Sequence, residues 1–236
     1  MSGGAPFNIA PATTNANRVL HEWCCSPTSL ISSGCASDSK GCACQRTTET
    51  EDGTTQSAVK RARCFLSRDN SLLWSSMPCT GGSSWQRINV KLPGGYARLR
   101  KHQRLFDKLW HRFEDVARYT HKKGNYVAIE WPKGCSYWKL PKVRKLIKDL
   151  DLKSVCFDGC MLGLRSVVNN LPIRKPWTIY TNSDEIIKEF SGLTCCGHSK
   201  HQTCQGIDTK LTEEYTVEFV ERLHSAWKRQ CSSKHQ

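Results

Sequence analysis

The chain has 236 residues, enough for one α/β domain or two small ones, and carries 35 Lys plus Arg against 21 Asp plus Glu, a net charge of +14 with neutral histidines. Such an excess attracts polyanions, which puts nucleic acid first among partners and an anionic membrane surface second. No apolar run approaches the about 20 residues needed to cross a bilayer, and the N-terminus lacks a basic stretch followed by an apolar core, so neither membrane insertion nor secretion is expected.

The 14 cysteines are read mainly as reduced thiols of a nuclear or cytoplasmic protein. Disulfide frameworks belong to short secreted chains, and aliphatic runs of core length are present here.

Residues 1–17 are largely Gly, Ala, Pro, Thr and Asn with almost nothing to bury, and are expected to form a disordered lead. The domain then opens near Arg18. Residues 19–24 read as a strand, and Ser26-Pro27-Thr28-Ser29 suits a turn into a helix with Ser26 as N-cap. Residues 34–63, rich in Cys, Ser, Thr and charge, give no clear element. Residues 72–76 form a strand running into a loop, 77–85, whose Gly81 and Gly82 allow close backbone approach.

Apolar residues spaced by threes and fours predict a helix over 98–123 with Arg and Lys on its other face. Strands follow at 126–130, 154–158 and 177–181, with helices at 142–150 and, begun by Ser183, at 184–190. A last helix is expected from Thr212 as N-cap, with Glu213 and Glu214 in its first turn and an apolar stripe of Tyr215, Phe219, Val220, Leu223 and Trp227. Alternating strands and helices predict an α/β fold with a mainly parallel sheet covered on both faces. Residues 18–190 make this domain, and 191–236 supply a short Cys/His-rich appendage and a C-terminal helix packed on it.

Ligands of such sheets sit at the carboxyl ends of the strands, where Glu22, residues 78–85, Glu130 and Asp158 all fall. Cys79, just past a strand and followed by Gly-Gly, has the setting of a thiol whose anion is held by backbone N–H groups. Glu130 lies at the same edge and can hydrogen-bond or protonate a ring nitrogen. Farther along, Cys195, Cys196, His198, His201 and Cys204 crowd into ten residues. Cys196, His198, His201 and Cys204 are the chosen ligands for Zn²⁺ in a structural knuckle. Cys35, Cys42 and Cys44 lack a fourth partner and are set aside. Basic clusters at 60–63, 98–104, 139–145 and 174–175, with Trp85, Tyr137, Trp138 and Trp177 nearby, suit phosphate contacts beside stacked bases.

The order Glu22, Pro78-Cys79, Glu130 and then residues 163–181 resembles that of class I DNA cytosine-5 methyltransferases. In that family a Pro-Cys supplies the nucleophile that adds to carbon 6 of cytosine, and a Glu at the next strand end engages the ring. The resemblance implies those roles for Cys79 and Glu130. Residues 162–179 are similar to the family's Gly-x-Pro-x-x-Arg-x-Arg segment with an insertion, which implies that Arg174 orients the base or its phosphate.

A closer similarity is to methyltransferase-like segments of retrotransposon-type polyproteins and their stand-alone relatives. These share Glu22, Cys24 and Ser29, then Pro78, Cys79 and Ser83, then Glu130, Pro132 and Trp138, then Cys160, Gly163 and Leu164, over residues 18–228. A Rossmann-like fold and S-adenosylmethionine are thereby implied, with Glu22 near the methionine moiety, Asp52 near the ribose hydroxyls and Pro78 also at the cofactor. The departures are the absence of Gly-x-Gly after the first strand, of Gln after Pro-Cys, of Asn-Val after Glu130 and of a long target-recognition region.

The expectation is a methyltransferase-like protein acting on nucleic acid, cytosine in DNA ahead of RNA. The alternatives are an RNA methyltransferase and a catalytically inactive nucleic-acid-binding module. The surviving Pro-Cys and Glu favour the enzyme, and the missing glycines favour the module.

Overall fold

The first strand, β1 (Arg18–Cys25), buries every side chain but Cys24 fully, because both of its faces are covered and Val, Leu and Trp fill them. In the computed structural model, which describes residues 16–33, 41–198 and 200–233, all but the last two residues of the expected lead lie outside the described part. β2 (Cys42–Thr48) and α1 (Gln56–Phe65) emerge from the stretch that gave no signal. β2 is an edge strand whose CACQRTT sequence carries no large aliphatic residue, and α1 is started by the Thr55 hydroxyl, which accepts from Ala58 N at 3.2 Å.

β3 (Ser71–Ser75), α2 (Gln86–Asn89) and α3 (Gly95–Lys122) follow, then β4 (Tyr126–Pro132), α4 (Pro141–Asp149), β5 (Lys153–Asp158) and β6 (Pro176–Thr181). The chain ends in α5 (Asp184–Phe190), α6 (Ile207–Leu211) and α7 (Val217–Ser232).

These strands form one six-stranded sheet in the order β2-β1-β3-β4-β6-β5. β1 to β4 pair in parallel, and β6 is antiparallel to both β4 and β5, so five strands run one way and β6 alone returns. One core, with Leu20, Trp74, Ile179, Phe219 and Trp227, lies under α5 and α7. The other, with Trp23, Leu73, Val127, Phe113 and Leu146, lies under α1, α3 and α4. The mainly parallel sheet covered on both faces is therefore observed.

Two expected helix starts are corrected. No helix follows Ser26, whose hydroxyl instead takes the Thr28 N–H at 3.2 Å and closes a turn. The serines beyond it turn to Glu22. Thr212 ends α6 rather than starting a helix, its hydroxyl donating back to Asp208 O, while α7 is capped by Thr216, which accepts from Phe219 N at 3.2 Å. Tyr215 thus sits in the link between two helices, free to reach the sheet edge.

Candidate active site at the carboxyl edge of the sheet

The strand order reverses between β1 and β3: β2 lies on one side of β1 and the later strands on the other. That switch point is where open α/β sheets bind ligands. β1 leaves it through Cys24, which takes a left-handed φ of 62° as the ladder with β2 shifts register between Trp23 and Cys25. A conformation that glycine adopts freely is here imposed on cysteine, at a cost of order 1 kcal/mol.

Glu22 is fully buried at this point. Its carboxylate accepts from Ser29 at 2.8 Å, Ser32 at 2.6 Å and Ser76 at 3.0 Å, and burial still raises its pKa above the ordinary value. Two strands over, Glu130 of β4 is buried too and is pushed up to about 7, first by burial, with the Tyr215 hydrogen bond and the Lys175 charge opposing. The Tyr215 hydroxyl donates to Glu130 Oε2 at 2.7 Å and accepts from Trp74 Nε1 at 3.3 Å. Oε1 of Glu130 is buried without a partner among the described residues.

Ser76 and Tyr215 lie 3.4 Å apart and join the two carboxylates. Each hydroxyl has a single hydrogen, already given to a carboxylate when both acids are ionised. With Glu130 protonated at Oε1, the Tyr215 hydroxyl still donates to Oε2 and Ser76 still donates to Glu22, so protonation leaves both hydroxyl hydrogen bonds in place.

Cys79 follows β3, and a 3₁₀ turn, Thr80–Gly82, begins directly after it. The thiol is half-buried and pushed up to about 11, chiefly by burial and next by the Glu130 charge, with Lys175 opposing. The thiolate stabilisation anticipated from the backbone is outweighed by desolvation. The turn is locked by packing: a Cβ on Gly81 would lie 2.2 Å from Tyr137 Oη, and one on Gly82 2.7 Å from Cys135 Sγ. Pro78 is exposed beside it.

Arg174 does not join this group in any described contact. Its Nε donates to Asp158 at 3.1 Å, on the carboxylate oxygen that also takes the Cys195 N–H at 2.9 Å. The neighbouring Lys175 is the cation that acts on both Cys79 and Glu130, and its ammonium also donates to Thr212. It stands there because β6 runs backwards, pairing Trp177 with Pro132, so the start of β6 adjoins the end of β4.

A shallow cleft of about 340 Å³ opens beside β1 and β2, lined by Pro27, Ser32, Arg46, Thr48, Thr50 and Glu51 among others. Ser32 lines it and donates to Glu22, so Glu22 braces the wall instead of facing the cleft. Asp52 is not among the lining residues. Its carboxylate is occupied by Thr54 N at 3.0 Å and Thr54 Oγ1 at 2.6 Å, and the acid at the cleft is Glu51.

Of the aromatic residues expected at this edge, Tyr137 and Trp177 are core and Trp138 packs on Trp131 and Tyr180, while Trp85 remains 41 % exposed. Cys160, Cys195, His198 and His201 have the atoms to hold a metal ion, all within 4.8 Å of one another. Cys196 and Cys204 are not in that group. Cys196 is exposed, and Cys204 Sγ lies 3.2 Å from Thr212 Oγ1. Cys42 and Cys44 bring their sulfurs to 3.9 Å, while Cys35 lies outside the described residues. No helix among the described residues is long and apolar enough to cross a membrane. No family model, curated protein or solved structure matches the chain.

Proposed function

We propose that the chain is an S-adenosylmethionine-dependent methyltransferase-like protein acting on nucleic acid, with cytosine in DNA its first substrate. The observation that carries this reading is the Cys79 thiol lying within the electrostatic reach of buried Glu130, whose carboxyl is pushed up to about 7, at the carboxyl edge of a mainly parallel sheet. A thiol adding to carbon 6 of a pyrimidine pushes electrons onto the ring, and a neutral carboxyl beside ring nitrogen 3 supplies the proton that absorbs them. The unpartnered Glu130 Oε1 is an atom for that contact. A base in a duplex has to leave the stack to reach it.

The cleft beside β1 and β2 suits the cofactor in volume and donor set. Glu51 and the hydroxyls of Thr48 and Thr50 are partners for ribose, and Arg46 is a partner for the methionine carboxylate. The cofactor supplies the methyl group as an electrophile, and the chain's own residues hold the base and move its protons. Two thiols and two imidazoles are a donor set for zinc in the Cys/His group.

Nucleic acid as partner is supported by the N-terminal half of α3. Arg100, Lys101, Arg104 and Lys108 are exposed around an open depression of about 560 Å³ that Tyr96 also lines. Lys101, Arg104 and Lys108 form no ion pair among the described residues, whereas the second half pairs Arg118 with Glu114 and Asp149. The basic half packs on the Cys79 loop: a Cβ on Gly81 would lie 3.2 Å from His102 Cβ. The triple variant K101A/R104A/K108A is expected to flatten the salt dependence of DNA binding by close to three units of log–log slope, about 0.9 for each phosphate no longer neutralised. Fluorescence anisotropy over a salt series reads it, and an unchanged slope removes this surface from the interface.

The enclosure of Glu22 behind Ser32 favours a second reading, a cofactor-free nucleic-acid-binding module. Calorimetric titration with S-adenosylmethionine and its demethylated product separates the two. Micromolar binding, about 8 kcal/mol, supports the enzyme, and silence at millimolar cofactor overturns it. Methyl-transfer assays on DNA and RNA then choose the substrate.

A further inference from the structure

The Cys/His group draws its members from two parts of the chain. Cys160 lies in the 3₁₀ turn Gly159–Leu162 directly after β5, and Cys195, His198 and His201 lie in the link between α5 and α6. Cys195 Sγ is 3.3 Å from His198 Nδ1 and 3.4 Å from His201 Nε2, and the two imidazoles stand 5.0 Å apart at 87°. A tetrahedral Zn²⁺ with Zn–S of about 2.3 Å and Zn–N of about 2.0–2.1 Å requires S···N separations of about 3.5 Å. The two Cys195 sulfur–nitrogen separations are already close to that spacing without the ion, and all four ligand atoms lie within 4.8 Å of one another.

The surroundings fit a bound thiolate. Gly197 N donates to Cys195 Sγ at 3.4 Å, and the Asp158 carboxylate fixes the Cys195 backbone N–H. The loop itself has little else to hold it. From Leu193 to Cys204 no described residue is in a helix or strand and none is fully buried. It is tied down by separate hydrogen bonds, such as Asp158 N to Leu193 O at 2.9 Å and Gln202 N to Pro172 O at 2.9 Å. A segment with so little apolar burial does not offset the entropy of ordering it.

We propose that Cys160, Cys195, His198 and His201 bind one Zn²⁺ as a closed structural centre that pins residues 193–204 to the end of β5. The proposal deepens the zinc reading of this group and stands apart from methyl transfer. All four positions come from the chain, so no site remains for a reactive water. Each thiol gives its proton to solvent as its sulfur coordinates, and two thiolates with two neutral imidazoles balance the ion's charge. The pinned loop leads into the link that carries Thr212 to Lys175 and Tyr215 to Glu130. The centre is a positioning device for that edge.

The test is metal analysis of the full chain purified without chelator, by plasma mass spectrometry against protein concentration. One zinc per chain is expected, lost in C160S and C195S and kept in C196S and C204S. Absence of stoichiometric zinc, or its loss in C196S or C204S with retention in C160S, overturns the assignment. Where C160S or C195S does not fold, Co²⁺ titration of the metal-stripped parent chain decides. The visible spectrum of tetrahedral cobalt with two thiolates supports the site, and a spectrum with no sulfur ligation or a different number of sulfurs overturns it. Trypsin reads the structural role at Lys200: faster cleavage of the stripped chain supports it, and equal rates overturn it. No nucleic acid or S-adenosylmethionine enters these measurements, so a failed methyl-transfer assay leaves them untouched.

Discussion

Changing Cys79 to serine abolishes covalent capture of a duplex carrying 5-fluorocytosine in the presence of S-adenosylmethionine, with binding of that duplex kept within about twofold. Fluorine at carbon 5 cannot leave as the proton does, so the sulfur–carbon 6 bond persists and is seen as a shifted band on a denaturing gel. A serine hydroxyl ionises too weakly to replace the thiol.

The pH course of capture follows from the two neighbours. Addition needs Cys79 ionised and Glu130 protonated, with the thiol near 11 and the carboxyl near 7. Below pH 7 the thiolate fraction grows tenfold per unit while Glu130 stays protonated, so the rate climbs tenfold per unit. Above pH 7 the growing thiolate fraction is cancelled by the shrinking acid fraction, and the rate levels off. A serine variant that still forms the adduct, or a rate that keeps climbing through pH 9, removes this pairing of roles.

How far the sequence can be read depends on how each signal is encoded. β1, β3 and β4 bury almost every residue and announce themselves as apolar runs, and α3 shows its buried face at every third and fourth residue. β2 is polar because it is an edge, and carries no such run. The direction of β6 is not written in its composition, since a buried strand reads the same either way. Lys175 and Tyr215 escape notice as partners of Glu130 for that reason, and because the apolar stripe of the last helix takes in Tyr215.

The metal ligands show the same limit. Spacing within one segment selects Cys196 and Cys204, but the fold brings in Cys160 from the far side of β6 and α5. Cys79 and Glu130 are legible because one lies shortly after an apolar strand and the other near the end of one, where the backbone sets the position.

Glu130→Gln is expected to stabilise the chain at pH 8 by about 3 kcal/mol while ending methyl transfer. Glu130 has its pKa raised from 4.5 to about 7, so its contribution to stability is full below pH 4.5 and is lost as pH rises through 7. A shift of that size corresponds to about 3 kcal/mol at pH 8, the cost of holding a bare carboxylate in the core.

Glutamine keeps an oxygen for the Tyr215 hydroxyl and never ionises. His21 works in the opposite sense: burial lowers it to about 4, so its contribution is full above pH 6.5 and is lost as pH falls through 4. Both chains share that term and the raised Glu22, and Cys79, pushed up to about 11, keeps its proton throughout the window. The difference in unfolding free energy between variant and parent therefore isolates Glu130. It should be near its minimum at pH 4.5 and grow until just above pH 7, as read by urea midpoints across that range. A difference that does not change with pH means that Glu130 is ionised at low cost, and the neutral carboxyl beside the base is then lost from the proposed chemistry.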